Sequence, residues 1–301
     1  MTLRLAARGS ALSLAQVELI ARSLAPDVRT EIETYRTTGD RLSQLDAALV
    51  GKGVFTKEID EALLDGRADV GVHSLKDLPS ELPEGLILAA VPLREDPSDV
   101  LISRPRGFFT DLPPGAAIGT GSPRRKAQLL AARPDLQVSD ARGNVDTRIR
   151  RLEEGRWQAI VLARAGLARL DRLDEVCDVF APEVMLPAIG QGALALVARA
   201  DDAAAARALG ALDHPGSHRE ARAERRLLHL LEAGCRAPLA ARAVSSDGTL
   251  RLEAGVFSPD GRRVLRESDE GPASDPEGVA DRVAARLLAR GAAAILRDAR
   301  A

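Results

Sequence analysis

The chain has 301 residues, of which 45% are hydrophobic and 29% charged, a globular balance that excludes a disordered chain. The formal net charge of -2 gives the whole protein no electrostatic reason to bind nucleic acid or an anionic membrane. No apolar run approaches the roughly 20 residues of a membrane-spanning helix, and Arg8 interrupts the N-terminal apolar stretch early. The expected location is therefore the cytoplasm, where Cys177 and Cys235 are free thiols rather than a disulfide.

Strands and helices alternate along the first two-thirds of the chain. A short strand at 3–5 precedes a helix at 11–24 and an alternating strand at 28–34. The pattern then predicts a helix at 55–64, strands at 70–73, 86–91 and 116–119, a helix at 123–133, a strand at 136–139, a helix at 145–154 and a strand at 158–163. This order is typical of parallel sheets with helices on both faces.

The segment 63–78 is echoed 89 residues later by the segment 152–167. Gly66 and Gly155 align, as do Arg67 and Arg156, so each copy contains a helix end, a Gly-Arg turn and an apolar strand. We interpret the echo as a sign of two similar α/β domains. From about Asp213 the pattern changes to a helix at 217–233, strands at 238–244, 249–257 and 262–267, and a helix at 276–290, which predicts a smaller α+β domain.

Three junctions between a loop and a helix carry arginine. In G-T-G-S-P-R-R-K (119–126), Ser122 is a good N-cap and Pro123 suits the first helical position. The same pattern is typical of an ordinary capped helix with two solvated arginines, and this segment alone does not decide. R-G-N-V-D-T-R (142–148) and Arg8-Gly9-Ser10 repeat the arrangement. Cations near a helix N-terminus oppose the helix dipole, so the three junctions together predict a cleft for a substrate with several negative charges.

V-H-S-L-K-D-L-P (72–79) places Ser74, Lys76 and Asp77 just past a buried strand, at the edge where open α/β folds bind ligands. Asp77 is the candidate carboxylate for stabilising a developing cation or handling protons. The alternative is an aspartate that caps the turn before Pro79.

Cys235 follows a helix that Gly234 terminates and precedes Arg236, a setting that favours a reactive thiolate. Cys177 alternates with apolar residues and is predicted to be structural. No metal site is predicted, because Pro215 and Gly216 make a turn between His214 and His218. G-Q-G-A-L-A (190–195) lacks the strand and acidic residue of a dinucleotide site, and G-K-G (51–53) lacks the spacing of a phosphate-binding loop.

Eight segments, taken in order, resemble the porphobilinogen deaminase (hydroxymethylbilane synthase) family. They are A-R-G-S-A-L-S-L-A-Q (7–16), G-K-G-V-F-T-K-E (51–58), V-H-S-L-K-D-L-P, R-E-D-P-S-D (94–99), G-T-G-S-P-R-R, R-G-N-V-D-T-R, L-P-A-I-G-Q-G-A (186–193) and E-A-G-C-R-A-P (232–238). Eight colinear motifs are far more specific than any one of them.

The resemblance implies two periplasmic-binding-protein-like α/β domains and a smaller C-terminal α+β domain that bears the cofactor loop. The expected boundaries are 1–92 with 193–212, then 93–192, then 213–301. The implied reaction joins four porphobilinogen molecules head to tail, releases four ammonia molecules and yields hydroxymethylbilane for tetrapyrrole synthesis. The implied enzyme is a monomer and binds neither nucleic acid nor membrane. Its primer is a dipyrromethane held by a thioether to Cys235.

The family's functional residues carry over onto matching positions of this chain. Asp77 is the central catalytic carboxylate, stabilising the methylene-pyrrole cation that forms when ammonia leaves, with Lys76 beside it. The implied cofactor-binding residues are Cys235, Ser74, Lys76, Asp77, Thr120, Ser122, Arg124, Arg125 and Arg148. The implied substrate-binding residues are Arg8, Ser10, Gln16, Phe55, Arg142, Arg148, Arg169 and Gln191.

Two positions depart from the family's pattern. Gly121 stands where many members have serine or threonine, which puts one hydroxyl contact in doubt. Asp146 places a negative charge among arginines and is expected to temper local affinity for anions. A two-lobed anion-binding module without catalysis and a phosphate-ester transferase are the rival interpretations. The first does not explain Asp77 or Cys235, and the second lacks metal ligands and a phosphate-binding loop.

Overall fold

The structure, a computed structural model, describes residues 1–38, 56–234 and 237–299. Its strands are β1 (Thr2–Arg8), β2 (Arg29–Tyr35), β3 (Val70–Ser74), β4 (Leu86–Ala90), β5 (Asp99–Ser103), β6 (Ala117–Gly119), β7 (Gln137–Ser139), β8 (Ala159–Ala163), β9 (Asp178–Val179), β10 (Leu194–Arg199), β11 (Leu239–Ser246), β12 (Thr249–Phe257) and β13 (Val264–Pro272). Its α-helices are α1 (Ala11–Ser23), α2 (Lys57–Leu64), α3 (Pro123–Ala132), α4 (Val145–Glu153), α5 (Arg164–Arg169), α6 (Ala203–Gly210), α7 (Pro215–Leu230), α8 (Pro276–Ala289) and α9 (Ala292–Asp298).

The first sheet has the strand order β2-β1-β3-β10-β4. β1 runs parallel to β2 and β3, whereas β10 runs antiparallel to β3 and β4. Leu5 and Val72 pack on one face of this sheet and Ala6 and Val197 on the other, each within its own cluster of buried apolar residues. Burial of both faces explains why the central strands are almost continuously apolar.

The second sheet repeats this topology in the order β7-β6-β8-β5-β9, with β6 parallel to β7 and β8 and with β5 antiparallel to β8 and β9. The predicted internal repeat is therefore confirmed, since β3 and β8 occupy the same central place. Gly66 and Gly155, in the two Gly-Arg turns, have φ values of +68° and +79°. Only glycine adopts this left-handed conformation without a steric penalty, which accounts for the matching glycines.

Two chain segments, 91–98 and 187–193, cross between the two sheets. The Glu95 N–H donates to the carbonyl oxygen of Gly192 at 3.3 Å. Gly192 has a φ of +86°, and a Cβ there would collide with the Glu95 carbonyl oxygen. Glycine is therefore required for this close approach of the two crossing segments.

The C-terminal sheet is antiparallel in the order β11-β12-β13 and is covered by α7, α8 and α9. It docks onto the crossing segments through a buried ion pair, in which Arg94 Nη1 donates to Glu224 Oε1 at 2.7 Å. The other Glu224 oxygen accepts from the Gly190 N–H at 2.6 Å. One carboxylate on α7 thus holds both crossing segments.

The predicted helices and strands agree with the structure to within about three residues, except the strand predicted at 262–267, which extends to Pro272 as β13. The sequence analysis did not predict β5, β9, β10, α5, α6 or α9. α7 begins earlier than the predicted 217 because His214 caps it and Pro215 takes the first helical position. The three domain boundaries given above stay a prediction. Within the described residues, no helix combines the length and apolar character needed to cross a bilayer.

Candidate active site

We call the part of the chain built around the first sheet the first lobe and the part built around the second sheet the second lobe. Polar side chains of the first lobe meet at the carboxyl edge of β1 and β3. Ser10 caps α1 by accepting from the Ser13 N–H at 3.3 Å, and the Gln16 amide on the same helix donates to Ser74 Oγ at 2.9 Å. Arg8 Nη1 lies 4.0 Å from Asp77 Oδ2. These residues line a pocket that is open to solvent. The structure therefore brings together five residues that the sequence placed at the site: Arg8, Ser10, Gln16, Ser74 and Asp77.

Lys76 and Asp77 lie on a single turn of 3₁₀ helix, Leu75–Asp77, that continues directly from β3. The Lys76 ammonium makes no hydrogen bond or close ion pair with any of the described residues. Burial, together with the positive charge of Arg125, lowers the pKa of Lys76 to about 8. Arg125 belongs to the second lobe, so this turn faces the second lobe across a cleft.

The second lobe contributes the loop after β6 and the start of α3. Ser122 caps α3 by accepting from the Arg125 N–H at 3.4 Å, and the Thr120 hydroxyl accepts from the Ser122 N–H at 3.3 Å. Ser122 and Thr120 thus occupy the predicted loop. Gly121 lies against the opposite loop, where a Cβ would be 3.1 Å from the Ala141 carbonyl oxygen. A serine or threonine at position 121 therefore requires a shift of that loop.

Arg124 and Arg125 point inward, onto the buried carboxylate of Asp99. Arg124 Nη1 donates to Asp99 Oδ2 at 2.7 Å and Arg125 Nε to Asp99 Oδ1 at 2.8 Å. Asp99 is 0% exposed, and the two guanidinium groups lower its pKa to about 2 against the opposing effect of burial. Neither arginine is a solvated surface residue. The buried Nε of Arg124 has no partner among the described residues.

The second arginine cluster lies at the N-terminus of α4, which Asn144 caps. Arg142 Nε donates to Asp140 Oδ2 at 2.5 Å, and Arg148 Nε donates to the Gly143 carbonyl oxygen at 2.8 Å. Burial and the nearby charge of Arg125 lower the pKa of Arg148 to about 10. Repulsion between buried cations, with no carboxylate at ion-pair distance from Arg148 in the described residues, is the electrostatic mark of an anion site.

Asp146, on the first turn of α4, pairs with an arginine outside this cluster. Its carboxylate accepts from Arg172 Nη1 at 2.6 Å on the surface, where Arg172 also bonds Glu175. Part of the negative charge at position 146 is thus balanced by Arg172, and the expected effect of Asp146 on anion affinity stays a prediction. A capped helix turns its successive side chains to different faces, so residues close in sequence to Arg148 need not share its surroundings.

Arg169 and Gln191, predicted to bind substrate, lie at the crossing segments. Arg169 Nη2 donates to the Gly192 carbonyl oxygen at 2.6 Å. The Gln191 amide donates to the Pro97 carbonyl oxygen at 2.6 Å and to Asp99 Oδ1 at 3.0 Å. Both side chains hold the connection between the lobes in this structure, and their contact with substrate stays a prediction.

Two predicted site residues, Cys235 and Phe55, lie outside the described residues. Gly234 and Ala237, on either side of the cysteine segment, line a second, larger pocket together with Lys76. Cys177 is half-buried, and its sulfur accepts from the Ser103 N–H at 3.4 Å, as a structural cysteine would. In the described part of the chain, no three His, Cys, Asp or Glu side chains are grouped to hold a metal ion.

Two family models match nearly the whole chain. The model described as "Porphobilinogen deaminase, dipyromethane cofactor binding domain" matches residues 3–207, and the one described as "Porphobilinogen deaminase, C-terminal domain" matches residues 218–289. The chain belongs to the porphobilinogen deaminase family. The eight motifs that the sequence analysis aligned with this family therefore identified it correctly.

Full-length relatives support the assignment to the porphobilinogen deaminase family. The porphobilinogen deaminase of Desulforudis audaxviator is 48% identical over 98% of this chain and 96% of its own length. That of Thermus thermophilus is 47% identical over 97% of each chain. Among solved structures, the periplasmic VFT2 domain of Bordetella pertussis BvgS is similar over 70% of this chain and 86% of its own, with 15% identity and a TM-score of 0.42.

The described residues fit the dipyrromethane cofactor of the porphobilinogen deaminase family, a pyrrole pair with several carboxylates. Lys76 and Arg148 are cations without a carboxylate at ion-pair distance among the described residues. Both have a pKa below the ordinary value, which a bound carboxylate would restore. The ends of the Cys235 segment lie beside Lys76 at the larger pocket. A polyanion attached to that segment would reach the same cations.

Proposed function

We propose that the cleft between the two lobes condenses four porphobilinogen molecules head to tail and adds one water molecule to give hydroxymethylbilane, with loss of four ammonia molecules, in the cytoplasm. The observation that carries this proposal is the position of the Asp77 carboxylate, on a turn beside Lys76 and 4.0 Å from Arg8, in a cleft otherwise rich in cations. A pure anion-binding site gains nothing from a carboxylate there, because like charges repel. A reaction that develops positive charge on its substrate, in contrast, is stabilised by a carboxylate at this position.

Binding of the substrate is assigned to the cations and hydroxyls at the edges of the cleft. Porphobilinogen carries acetate and propionate groups, which suit the guanidinium groups of Arg8, Arg142 and Arg148 and the hydroxyl group of Ser10. Arg124 and Arg125 contribute at most part of their donors, because Asp99 already takes several of them. We therefore propose that Arg124 and Arg125 shape the cofactor side of the cleft. The groups that face the cofactor are then Lys76, Thr120 and Ser122.

The chemical step requires the aminomethyl C–N bond of porphobilinogen to break and the electron pair to leave with ammonia. The remaining carbon becomes positively charged, and the pyrrole nitrogen shares that charge. Asp77 holds a fixed negative charge for this moment and accepts a hydrogen bond from the pyrrole N–H. The dipyrromethane, when bound, would supply the pyrrole carbon to which the first substrate is joined, and that carbon would lose its proton to solvent as the C–C bond forms. Direct turnover tests the proposal: hydroxymethylbilane and four equivalents of ammonia should form, and purified protein that releases no ammonia would refute it.

Loss of the Cys235 thiol should remove the cofactor. The intact mass of the purified protein should exceed the sequence mass by one dipyrromethane, and the protein should give a pyrrole colour reaction with an acidic aldehyde reagent. Cys235→Ser should show neither signal, because a hydroxyl does not form the thioether. Cys177→Ser is the matched control and should keep both. An adduct that survives in Cys235→Ser places the attachment elsewhere.

Arg148→Gln should lower activity while leaving the fold intact. In the structure Arg148 is a half-buried cation repelled by the charge of Arg125, so its removal relieves repulsion and costs the cofactor-free protein little stability. Losing one partner of a desolvated charge pair costs a few kcal/mol, so activity should fall about ten- to a thousandfold. Kinetics and thermal melting measure the two effects.

The control for Arg148→Gln lies on the same helix. Arg150 forms only an exposed pair with Glu154 at 3.8 Å, so Arg150→Gln should be nearly neutral in both measurements. Wild-type turnover in a cofactor-loaded Arg148→Gln enzyme would contradict the assignment of Arg148 to a ligand carboxylate.

A further inference from the structure

Arg225, on α7, contacts the chain just beyond the Asp77 turn. Its Nη1 donates to the Pro79 carbonyl oxygen at 2.8 Å and its Nη2 to the Ser80 carbonyl oxygen at 2.9 Å. The two donors of one planar guanidinium thus bind two successive carbonyl groups of a segment about 145 residues away in the sequence. The ammonium group of a lysine cannot donate to both carbonyl groups in this planar geometry.

The environment of Arg225 differs from that of its neighbours on the helix. Arg222 and Arg226 form exposed ion pairs with Glu277 and Asp281, each at 2.7 Å. Arg225 is partly buried, pairs with no carboxylate among the described residues, and has its pKa lowered by burial alone. Burying a charge against carbonyl groups only is costly, so an ordinary helix-packing position would favour an apolar side chain.

The segment that Arg225 binds is the downstream support of the catalytic turn. Upstream, the Leu75 N–H donates to the Ala193 carbonyl oxygen at 3.0 Å, and within the turn the Leu78 N–H donates to the Leu75 carbonyl oxygen at 3.1 Å. The first bond holds the beginning of the turn, and the second closes the turn around Lys76 and Asp77. Arg225 fixes the chain two and three residues after Asp77 and so limits how far the carboxylate can swing.

The same helix leads into the segment that contains Cys235. The larger of the two pockets is lined by Arg225, Lys76, Gly234 and Ala237. Arg225 therefore connects the helix before the cofactor segment to the turn that carries the catalytic carboxylate.

We propose that Arg225 is a positioning residue that holds the Asp77 turn in place against α7, the helix that precedes the cofactor segment. This proposal rests on the proposed function, because it assigns Asp77 the role given above. A displaced carboxylate weakens stabilisation of the reacting centre more than it weakens binding of the substrate, and misplacement by about 1 Å can cost about a hundredfold in rate.

Arg225→Gln tests the proposal in full-length, cofactor-loaded enzyme. We expect kcat per mole of loaded enzyme to fall about ten- to a hundredfold, with KM within about twofold of the wild-type value. Arg225→Lys should give an intermediate kcat, because one ammonium cannot satisfy both carbonyl groups in the same geometry. Arg226→Gln, one residue along the helix, is the matched control and should keep wild-type kcat and KM.

A double-mutant cycle with Asp77→Asn separates positioning from general packing. If Arg225 acts through Asp77, adding Arg225→Gln to Asp77→Asn should cost less than about threefold in kcat. The full Arg225→Gln loss in that background overturns the proposal. Wild-type kcat in loaded Arg225→Gln also overturns the proposal, even if the melting temperature or the cofactor content of that variant falls. An inactive wild-type enzyme would instead refute the proposed function.

Discussion

Asp77→Asn should leave a folded, cofactor-loaded protein whose kcat is at least about a hundredfold below that of the wild type. The substitution keeps the size and part of the hydrogen bonding of the side chain but removes its charge. A fixed carboxylate that stabilises positive charge in the transition state contributes mainly to turnover, so KM should change much less than kcat. Steady-state kinetics on enzyme of measured cofactor content give both numbers.

The structure also indicates why Asp77→Asn should fold. The Asp77 side chain is 37% exposed, and Arg8 lies 4.0 Å away, a pair worth at most about 1 kcal/mol. Asp77→Glu keeps the charge but displaces it by one methylene, so it should retain more activity than Asp77→Asn. If Asp77 were only a turn former, asparagine would be harmless and any defect would be in the melting temperature. Normal turnover in loaded Asp77→Asn would therefore remove Asp77 from the mechanism.

The strand and helix order of this protein was predictable because its lobes repeat a simple pattern. Continuous apolar strands such as Val70–Ser74 and Ala159–Ala163 are buried on both faces, and their Gly-Arg turns need glycine. The pairing of the antiparallel strands could not be predicted from periodicity. β5 and β10 each run antiparallel in their sheets, and nothing in an apolar run specifies which neighbour it pairs with.

The site was predictable where a motif places polar residues at a strand end, as at Ser10, Ser74 and Asp77. The missed residues are those whose role depends on a distant partner. Asp99 is the last residue of R-E-D-P-S-D, yet its contacts come from α3 and from Gln191. Arg225 is one of three arginines within five positions, and only the tertiary structure separates it from the two surface residues. The signal for Asp99 in the sequence is a charged residue directly before the apolar run 100–102.

Asp99→Asn should destabilise the protein by about 3–5 kcal/mol, the largest stability effect that we expect from a single change in this cleft. The substitution leaves the guanidinium groups of Arg124 and Arg125 buried without a negative partner. Both arginines are under 10% exposed, so water cannot replace the lost carboxylate. Urea unfolding at pH 7 measures the free energy. The control is Asp135→Asn, which breaks a 2.7 Å pair with Arg133 at the surface and should change the free energy of unfolding far less than Asp99→Asn.

The pH dependence gives a second, independent test of the Asp99 cluster. Because the pKa of Asp99 in the folded protein is about 2, below its ordinary value near 4, the unfolded chain binds this proton more readily. The stabilisation from Asp99 is therefore complete above about pH 4 and is lost as the pH falls to about 2. Asp99→Asn should lack this part of the acid transition, so its stability difference from wild type should shrink between pH 4 and pH 2. A difference that stays constant over this range would mean that Asp99 is not the anionic partner of the two arginines, which would then be free to bind the carboxylates of the cofactor.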